Sequence, residues 1–408
     1  MSRPGAPYWH DAFPRSRRPA FGRFRGHTET DVVIVGAGLT GCACAVSFAS
    51  AGIKVIVLEA DRLGGGATRG SSGLIREDPD ASFLAASANL GVRPSRTIWQ
   101  AMRRASLDFA TALRRLRIKC DLAPEDLLTL APRDANAVRL LRREYQARRD
   151  AGFDHTWMTA AAVSRAAGVD AGAAIRTHGS AVDPYRACVG LAAAAIARGA
   201  QVFEQSAARK LRGGRKSIDV ATDTGGSIRA SAVIITTPAA PGLQALRRHL
   251  RARQTYTVLT ERLPASVRRE LGPRKAALRD ASLPPHLLRW MDDGERVLFA
   301  GAGQPPVPAR ALEKVLVQRT GQLMYELSTI YPPVSGARAE WMWATSFDDT
   351  VDGLPYIGPH RNFPRQLFAL GHGRHGEGVA WLAARVLLRH FMDEPAKGDE
   401  HLGFARIL

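Results

Sequence analysis

The stretch DVVIVGAGLTGCACAVSFASAGIKVIVLEA, residues 31–60, constrains the fold of this chain more than any other. Val32 to Val35 form a short β-branched run of the kind that makes a strand buried on both faces. Gly36, Gly38 and Gly41 come next in G-x-G-x-x-G spacing, and an Ala/Cys/Val/Phe segment predicts a helix ending near Gly52. A second buried strand, Val55 to Leu58, finishes on Glu59, 18 residues after Gly41. Strand, helix, strand and acid in this register make a βαβ dinucleotide unit rather than a bare glycine-rich turn. Gly36 permits the tight turn, Gly38 lets backbone approach a pyrophosphate, and Gly41 lets helix pack on strand. The helix N-terminus offers unpaired N–H groups and a partial positive charge to that pyrophosphate. Glu59 is placed for a ribose 2′-OH and disfavours a 2′-phosphate. The run from Val32 to Leu58 is not a membrane span, because Gly36, Gly38, Gly41, Gly52 and Lys54 interrupt it.

The unit alone suits NAD and FAD equally. The next segment favours FAD: ADRLGGGATRGSSGLI, Ala60 to Ile75, stands where a nicotinamide enzyme would continue into its next helix. Gly64 to Gly66 and Gly70 make a second backbone-rich surface, with Thr68, Ser71 and Ser72 as hydroxyl donors. A cofactor longer than its adenosine half needs such a surface.

VGAGLTG, LEADRLGGGATRGSSG, AVDPYRACVGLAAAAIARGAQVFE, SAVIITT, DGLPYIG and ALGHGRHGEG occur in that order. Together they resemble the D-amino-acid oxidase/glycine oxidase/sarcosine oxidase superfamily of FAD-dependent oxidoreductases, the DAO family, from about Thr30 onwards. The resemblance implies an α/β fold: a Rossmann-like, GR2-type FAD-binding domain and a discontinuous substrate domain built on an antiparallel sheet plus helices. Residues 30–85, 151–245 and 345–408 are expected in the FAD-binding domain, 86–150 and 246–344 in the substrate domain, and 1–29 in an N-terminal tail. It further implies that FAD, non-covalently held, meets Gly36, Gly38, Leu39, Thr40, Gly41, Glu59 and Ala60. Gly66, Ala67, Thr68, Ser71, Ser72, Gly73 and Leu74 form the second cofactor surface, and Ala208 and Thr237 contribute from strand ends. The last contacts implied are His372, Gly373, Arg374, His375, Gly376, Glu377 and Gly378, a loop beneath the flavin ring. A helix from about Gly376 to Phe391 then points its positive end at the N1/O2 edge. No cysteine comes after Cys188, which leaves no C-terminal thiol for covalent attachment.

Elsewhere the pattern is plainer. Residues from about 86 to 150 read as amphipathic helices; Thr255 to Leu263, Leu287 to Trp290 and Arg296 to Ala300 read as exposed antiparallel strands. Asp183-Pro184 opens a helix before the strand Gln201 to Glu204, and Ala232 to Thr237 is another buried strand. The net charge of +19 comes from 57 basic and 38 acidic residues, but the basic ones are mostly scattered arginines on solvated faces rather than blocks. Specific nucleic-acid binding is therefore not expected. Cys42, Cys44, Cys120 and Cys188 show no metal spacing and read as buried thiols of a reducing, cytoplasmic compartment. The N-terminus lacks the apolar segment of a targeting signal.

The family removes a hydride from a C–H beside an amine nitrogen, delivers it to flavin N5, and lets the imine hydrolyse. The expectation is an FAD-dependent amine or amino-acid oxidase or dehydrogenase acting on an amine or N-substituted amino acid, with O2 or a quinone as acceptor. No integral membrane association is expected, and a homo-oligomer is compatible with the reading. In the glycine oxidase branch an arginine shortly before the DG of DGxPYIG clamps the substrate carboxylate; here that place is Phe347, in WATSFDDTVDG. A simple α-amino acid is thus expected to be a poor substrate. The alternative is a non-catalytic or partner-dependent flavin-binding subunit, and a third reading is an NAD-linked reductase. Trp343, Phe347 and Tyr256 suggest an aromatic pocket for a cationic amine, against the plainer reading of core aromatics. Asp348, Asp349 and Asp352 read as a solvated turn or an acidic greeting for an ammonium. No acid/base residue is identified; His372 and His375 are candidates, too poor in further ligands for a metal site. Relatives carry Asn, Gly and an aliphatic residue where this chain has His375, Gly376 and Glu377, so His375 is expected to tune flavin potential or amine protonation.

Overall fold

A computed structural model describes residues 3–280, 285–374 and 376–407. Strand β1 (His27–Val35), helix α1 (Leu39–Ser50) and strand β2 (Val55–Leu58) form the parallel unit expected from the glycine spacing, in register from Val32↔Val55 to Val35↔Leu58. Strand β3 (Leu74–Arg76) and the 24-residue helix α2 (Val92–Arg115) come next. Strands β4 (Asp126–Ala131), β5 (Thr156–Thr159) and β6 (Ala173–Thr177) then precede helix α3 (Pro184–Ile196). Asp183 caps α3 by accepting from Arg186 N at 2.9 Å. Strands β7 (Gln201–Phe203) and β8 (Ser227–Ile235) return to the parallel sheet. Strands β9 (Leu250–Thr260), β10 (Ala276–Asp280), β11 (Leu287–Met291) and β12 (Arg296–Gln304) lead to helix α4 (Ala309–Ile330). The chain ends with β13 (Ala339–Thr350), β14 (Phe363–Leu370) and helix α5 (Gly376–Phe391).

Two sheets organise these elements. The first is parallel in the order β7-β2-β1-β8-β14, extended by antiparallel strands at its margins. Helices α1, α2, α3 and α5 cover one of its faces: Phe48, Phe109, Cys188, Leu191, Trp381 and Leu387 share one apolar cluster with Val32 and Ile34. Phe109 stacks on Trp381 at 5.6 Å between α2 and α5. The second sheet has nine strands, with β13-β9-β12-β11-β10-β4-β6-β5 running inwards from an edge pair at Arg3–Pro4.

Five expectations change. Helix α2, expected with the substrate half, packs on α5 and the parallel sheet, because its apolar stripe meets theirs. Strands β5 and β6, expected with the cofactor half, hydrogen-bond into the nine-stranded sheet beside β4. Strands β9, β11 and β12, expected to be exposed, are buried along most of their length. Helix α4 covers one face through Leu316, Leu323 and Leu327, and the cofactor half covers the other. The N-terminal segment is no loose tail: Trp9 is buried with Trp341 and Trp343, and its Nε1 donates to Ser71 O at 2.7 Å. The arginines are not all at the surface either, since Arg76, Arg148, Arg289 and Arg296 are buried and paired with carboxylates. The four cysteines are buried and free. Among the described residues no helix is long and apolar enough to cross a membrane.

Candidate active site

The site lies where the nine-stranded sheet meets three segments of the parallel half. The first is the turn after β1. Gly36 adopts φ +107°, and its N–H donates to Leu58 O at 2.9 Å, locking the turn to β2. A Cβ at Gly41 would stand 1.8 Å from the Gly36 carbonyl oxygen, so only glycine lets α1 begin there. Thr237 abuts Gly36 from the end of β8. Glu59 reaches across the turn, its carboxylate accepting from Ala37 N at 2.8 Å and Asp61 N at 2.9 Å. Ser206 N donates to Glu59 O at 2.8 Å, bringing the chain before Ala208 alongside.

The second segment, residues 64–74, crosses from this turn to the large sheet. Thr68 Oγ1 accepts from Leu39 N at 2.9 Å in the first turn of α1. Gly70 is pinned by β13: its carbonyl accepts from Trp343 Nε1 at 3.0 Å and Thr345 Oγ1 at 2.8 Å. Arg289 of β11 donates through Nη1 to Ser72 O at 2.8 Å and Gly73 O at 2.9 Å, and through Nε to Glu125 at 2.9 Å. Leu74 packs on Leu127, Ala277 and Leu287 of the same sheet face.

The third segment precedes α5, which begins at Gly376 as its glycines and apolar run predict. Gly373 N donates to Asp348 O at 3.1 Å, and Arg374 N donates to Asp80 Oδ2 at 3.1 Å. Arg76 holds Asp80 through Nη1 at 2.7 Å, and the Arg374 guanidinium bonds Pro285 O. His372 faces Thr40 Oγ1 through Nδ1 at 3.1 Å; its Nε2 is buried without a partner, and burial pulls the imidazole down to about 4. Glu377 receives Ser71 Oγ and Gly73 N on Oε1, the latter at 3.0 Å, while its Oε2 is buried and unpartnered. His375 lies outside the described residues.

The aromatic candidates separate. Thr257, not Tyr256, pairs with Trp343, so Tyr256 projects from the opposite face of the sheet. There its hydroxyl sits between Gln254 at 3.0 Å and Gln304 at 2.8 Å, among the residues under α4. Trp343 is fully buried and spends its Nε1 on Gly70. Of the three, Phe347 alone stands half-buried on the site-facing side, beyond Thr345 and before the Asp348 carbonyl that holds Gly373. Asp349 comes next on the same side, where burial and then Asp80 push its carboxyl up. Asp352 is a local turn acceptor from Thr350 Oγ1 and Leu354 N that also pairs with Arg406 at 2.7 Å.

A family profile described as "FAD dependent oxidoreductase" (DAO) matches residues 31–389. The chain belongs to the DAO family. It is 25% identical to gamma-glutamylputrescine oxidoreductase of Escherichia coli (strain K12), over 88% of this chain and 82% of that one. Glycine oxidase from Geobacillus kaustophilus superposes with a TM-score of 0.73 at 21% identity, covering 90% and 96% of the two chains. L-Proline dehydrogenase from P. horikoshii superposes with a TM-score of 0.74 at 18% identity, covering 91% and 95%.

As a DAO-family protein it uses FAD, and the residues present fit that cofactor. Gly36 and Gly41 close the tight turn at the start of α1, Gly38 stands at that helix N-terminus with only Thr68 Oγ1 near its missing Cβ, and Glu59 follows the end of β2. The two orphaned buried atoms, His372 Nε2 and Glu377 Oε2, are polar groups lacking a partner, next to segments 36–41 and 71–73. Sequence reasoning missed Arg289, Asp80 and Thr345. They carry no motif and meet residues 70–73 and Arg374 only through the tertiary fold.

Proposed function

We propose that this FAD-dependent oxidoreductase oxidises the C–N bond of an amine to an imine, and that an N-substituted amino acid is the substrate form its site fits best. Bound FAD supplies the hydride acceptor at N5; the chain supplies orientation, a dry pocket and charge. The reading is carried by one pair of residues. Phe347 occupies the place of the glycine oxidase branch's carboxylate-binding arginine, and a phenyl ring cannot bind a carboxylate. Directly across from it on β9 stands Arg253, half-buried and in no ion pair among the described residues. Directly opposed side chains start about 5 Å apart, so on this reading the cation comes from the neighbouring strand. A carboxylate held from β9 leaves the face at Phe347 for an apolar N-substituent. The relative from Escherichia coli is likewise named for a substituted amine.

Anaerobic mixing of the FAD-loaded protein with amines tests this by flavin bleaching. N-alkyl amino acids should reduce it at least tenfold faster than glycine or D-alanine; rapid bleaching by either simple amino acid overturns the reading. Arg253→Met should raise KM for carboxylate-bearing substrates by about tenfold or more, the worth of a charged hydrogen bond, and leave amines without a carboxylate unaffected.

A further inference from the structure

Glu377 is 1% exposed, in the first turn of α5. Ser71 Oγ and Gly73 N satisfy its Oε1, and nothing among the described residues satisfies its Oε2. No cation pairs with it there. Arg289, the charged neighbour from β11, is committed to Glu125 and to the Ser72 and Gly73 carbonyls. Arg76, whose carbonyl abuts Gly378, turns its guanidinium to Asp78 and Asp80. His372, on the loop before α5, faces Thr40. A buried carboxyl with one bare oxygen and no counter-cation is costly unless a ligand or a proton takes that oxygen. The segment that holds its other oxygen, Ser71–Gly73, belongs to the cofactor surface.

We propose that Glu377 is the proton store of the flavin site, ionised at Oε2 while the cofactor is oxidised and protonated there when the cofactor is reduced. Two like charges in one low-dielectric cavity cannot both persist, and the cheaper outcome is a proton on the carboxylate. Ser71 Oγ–H, Gly73 N–H and the α5 N-terminus support the ionised form; burial, which pushes this carboxyl up, supports the protonated one. Two electrons enter the cofactor with one proton, and a second proton passes from water to Oε2. Between the two ionisation points of Glu377 the couple therefore consumes two protons per two electrons. A chain lacking the carboxyl consumes one.

The inference rests on FAD binding and not on the amine reading, so dithionite rather than an amine is the reductant in its test. The midpoint potential of the FAD-loaded full chain is titrated against a reference dye from mildly acidic to alkaline pH. The wild type should show an interval whose slope exceeds that of Glu377→Gln by one proton per two electrons, and Glu377→Gln should have the higher potential on the alkaline side. Redox-difference infrared spectra should show a carboxylic-acid C=O band that appears on reduction, shifts in D2O, and is absent from Glu377→Gln. Equal slopes, or no such band in the wild type, overturn the proposal. If Glu377→Gln does not retain FAD, Ser71→Ala decides: losing a donor to the ionised form should move the wild-type break to higher pH, and an unmoved break counts against it.

Discussion

Gly41 shows how little freedom the cofactor turn has. Any Cβ there meets the Gly36 carbonyl, a backbone atom that cannot rotate away. Overpacking of this kind costs about 1–3 kcal/mol, and relief requires α1 to retreat from the turn whose N–H groups would hold the pyrophosphate. Gly41→Ala should therefore fold while retaining FAD about tenfold more weakly, measured by fluorescence titration of the released cofactor. Glu59 belongs to the same scale: its acceptor bonds to Ala37 and Asp61 hold the end of β2 against the glycine turn, so a substitution there should disturb the loop geometry. Both residues were legible because the βαβ unit is local. Arg253 was not, since the role proposed for it depends on β9 pairing with β13 and setting it opposite Phe347.

Among elements, the contact between β11 and the Ser72–Gly73 segment is the most revealing. Arg289 and Glu125 are nearly excluded from water, and burial pushes the Glu125 carboxyl up even beside its guanidinium partner. Removing one partner of a buried pair typically costs about 3–5 kcal/mol, because the other charge is stranded. Arg289→Met should lower urea stability by that order, and Arg289→Met with Glu125→Gln should recover much of the loss. The sequence announces β11 as a strand but misstates its surroundings. It reads as an exposed antiparallel strand, whereas α4 on one side and Leu74 of β3 on the other bury it twice. Helix α5 is the opposite case: glycines leading into an unbroken apolar run fix its start at Gly376. What anchors the loop before it, Asp80 accepting from Arg374 N, joins residues 294 positions apart and leaves no local trace.

At the scale of the molecule, acid should unfold the protein partly through His155. This imidazole is buried against Phe153, its Nδ1 has no partner, and burial followed by Arg148 pulls it down to about 4. An unfolded histidine titrates near 6.5. The unfolded chain thus binds one more proton than the native one between those values, so the neutral ring's contribution is complete above about 6.5 and fades as pH falls towards 4. His155→Phe should flatten the pH dependence of urea stability there by about one proton. Asp183 opposes this trend, because burial raises its carboxyl to about 6 and its contribution is lost as pH climbs through that value.

Strand β13 holds Gly70 through two side chains and Gly373 through a backbone carbonyl, while β11 grips the two residues between Ser71 and Leu74. The large sheet is therefore fastened directly to the segments proposed to hold the cofactor and is no hinged cover free to swing away from them. Limited proteolysis should accordingly yield either the intact yellow protein or small colourless fragments, with no stable flavin-bearing core from which the nine-stranded sheet has been trimmed.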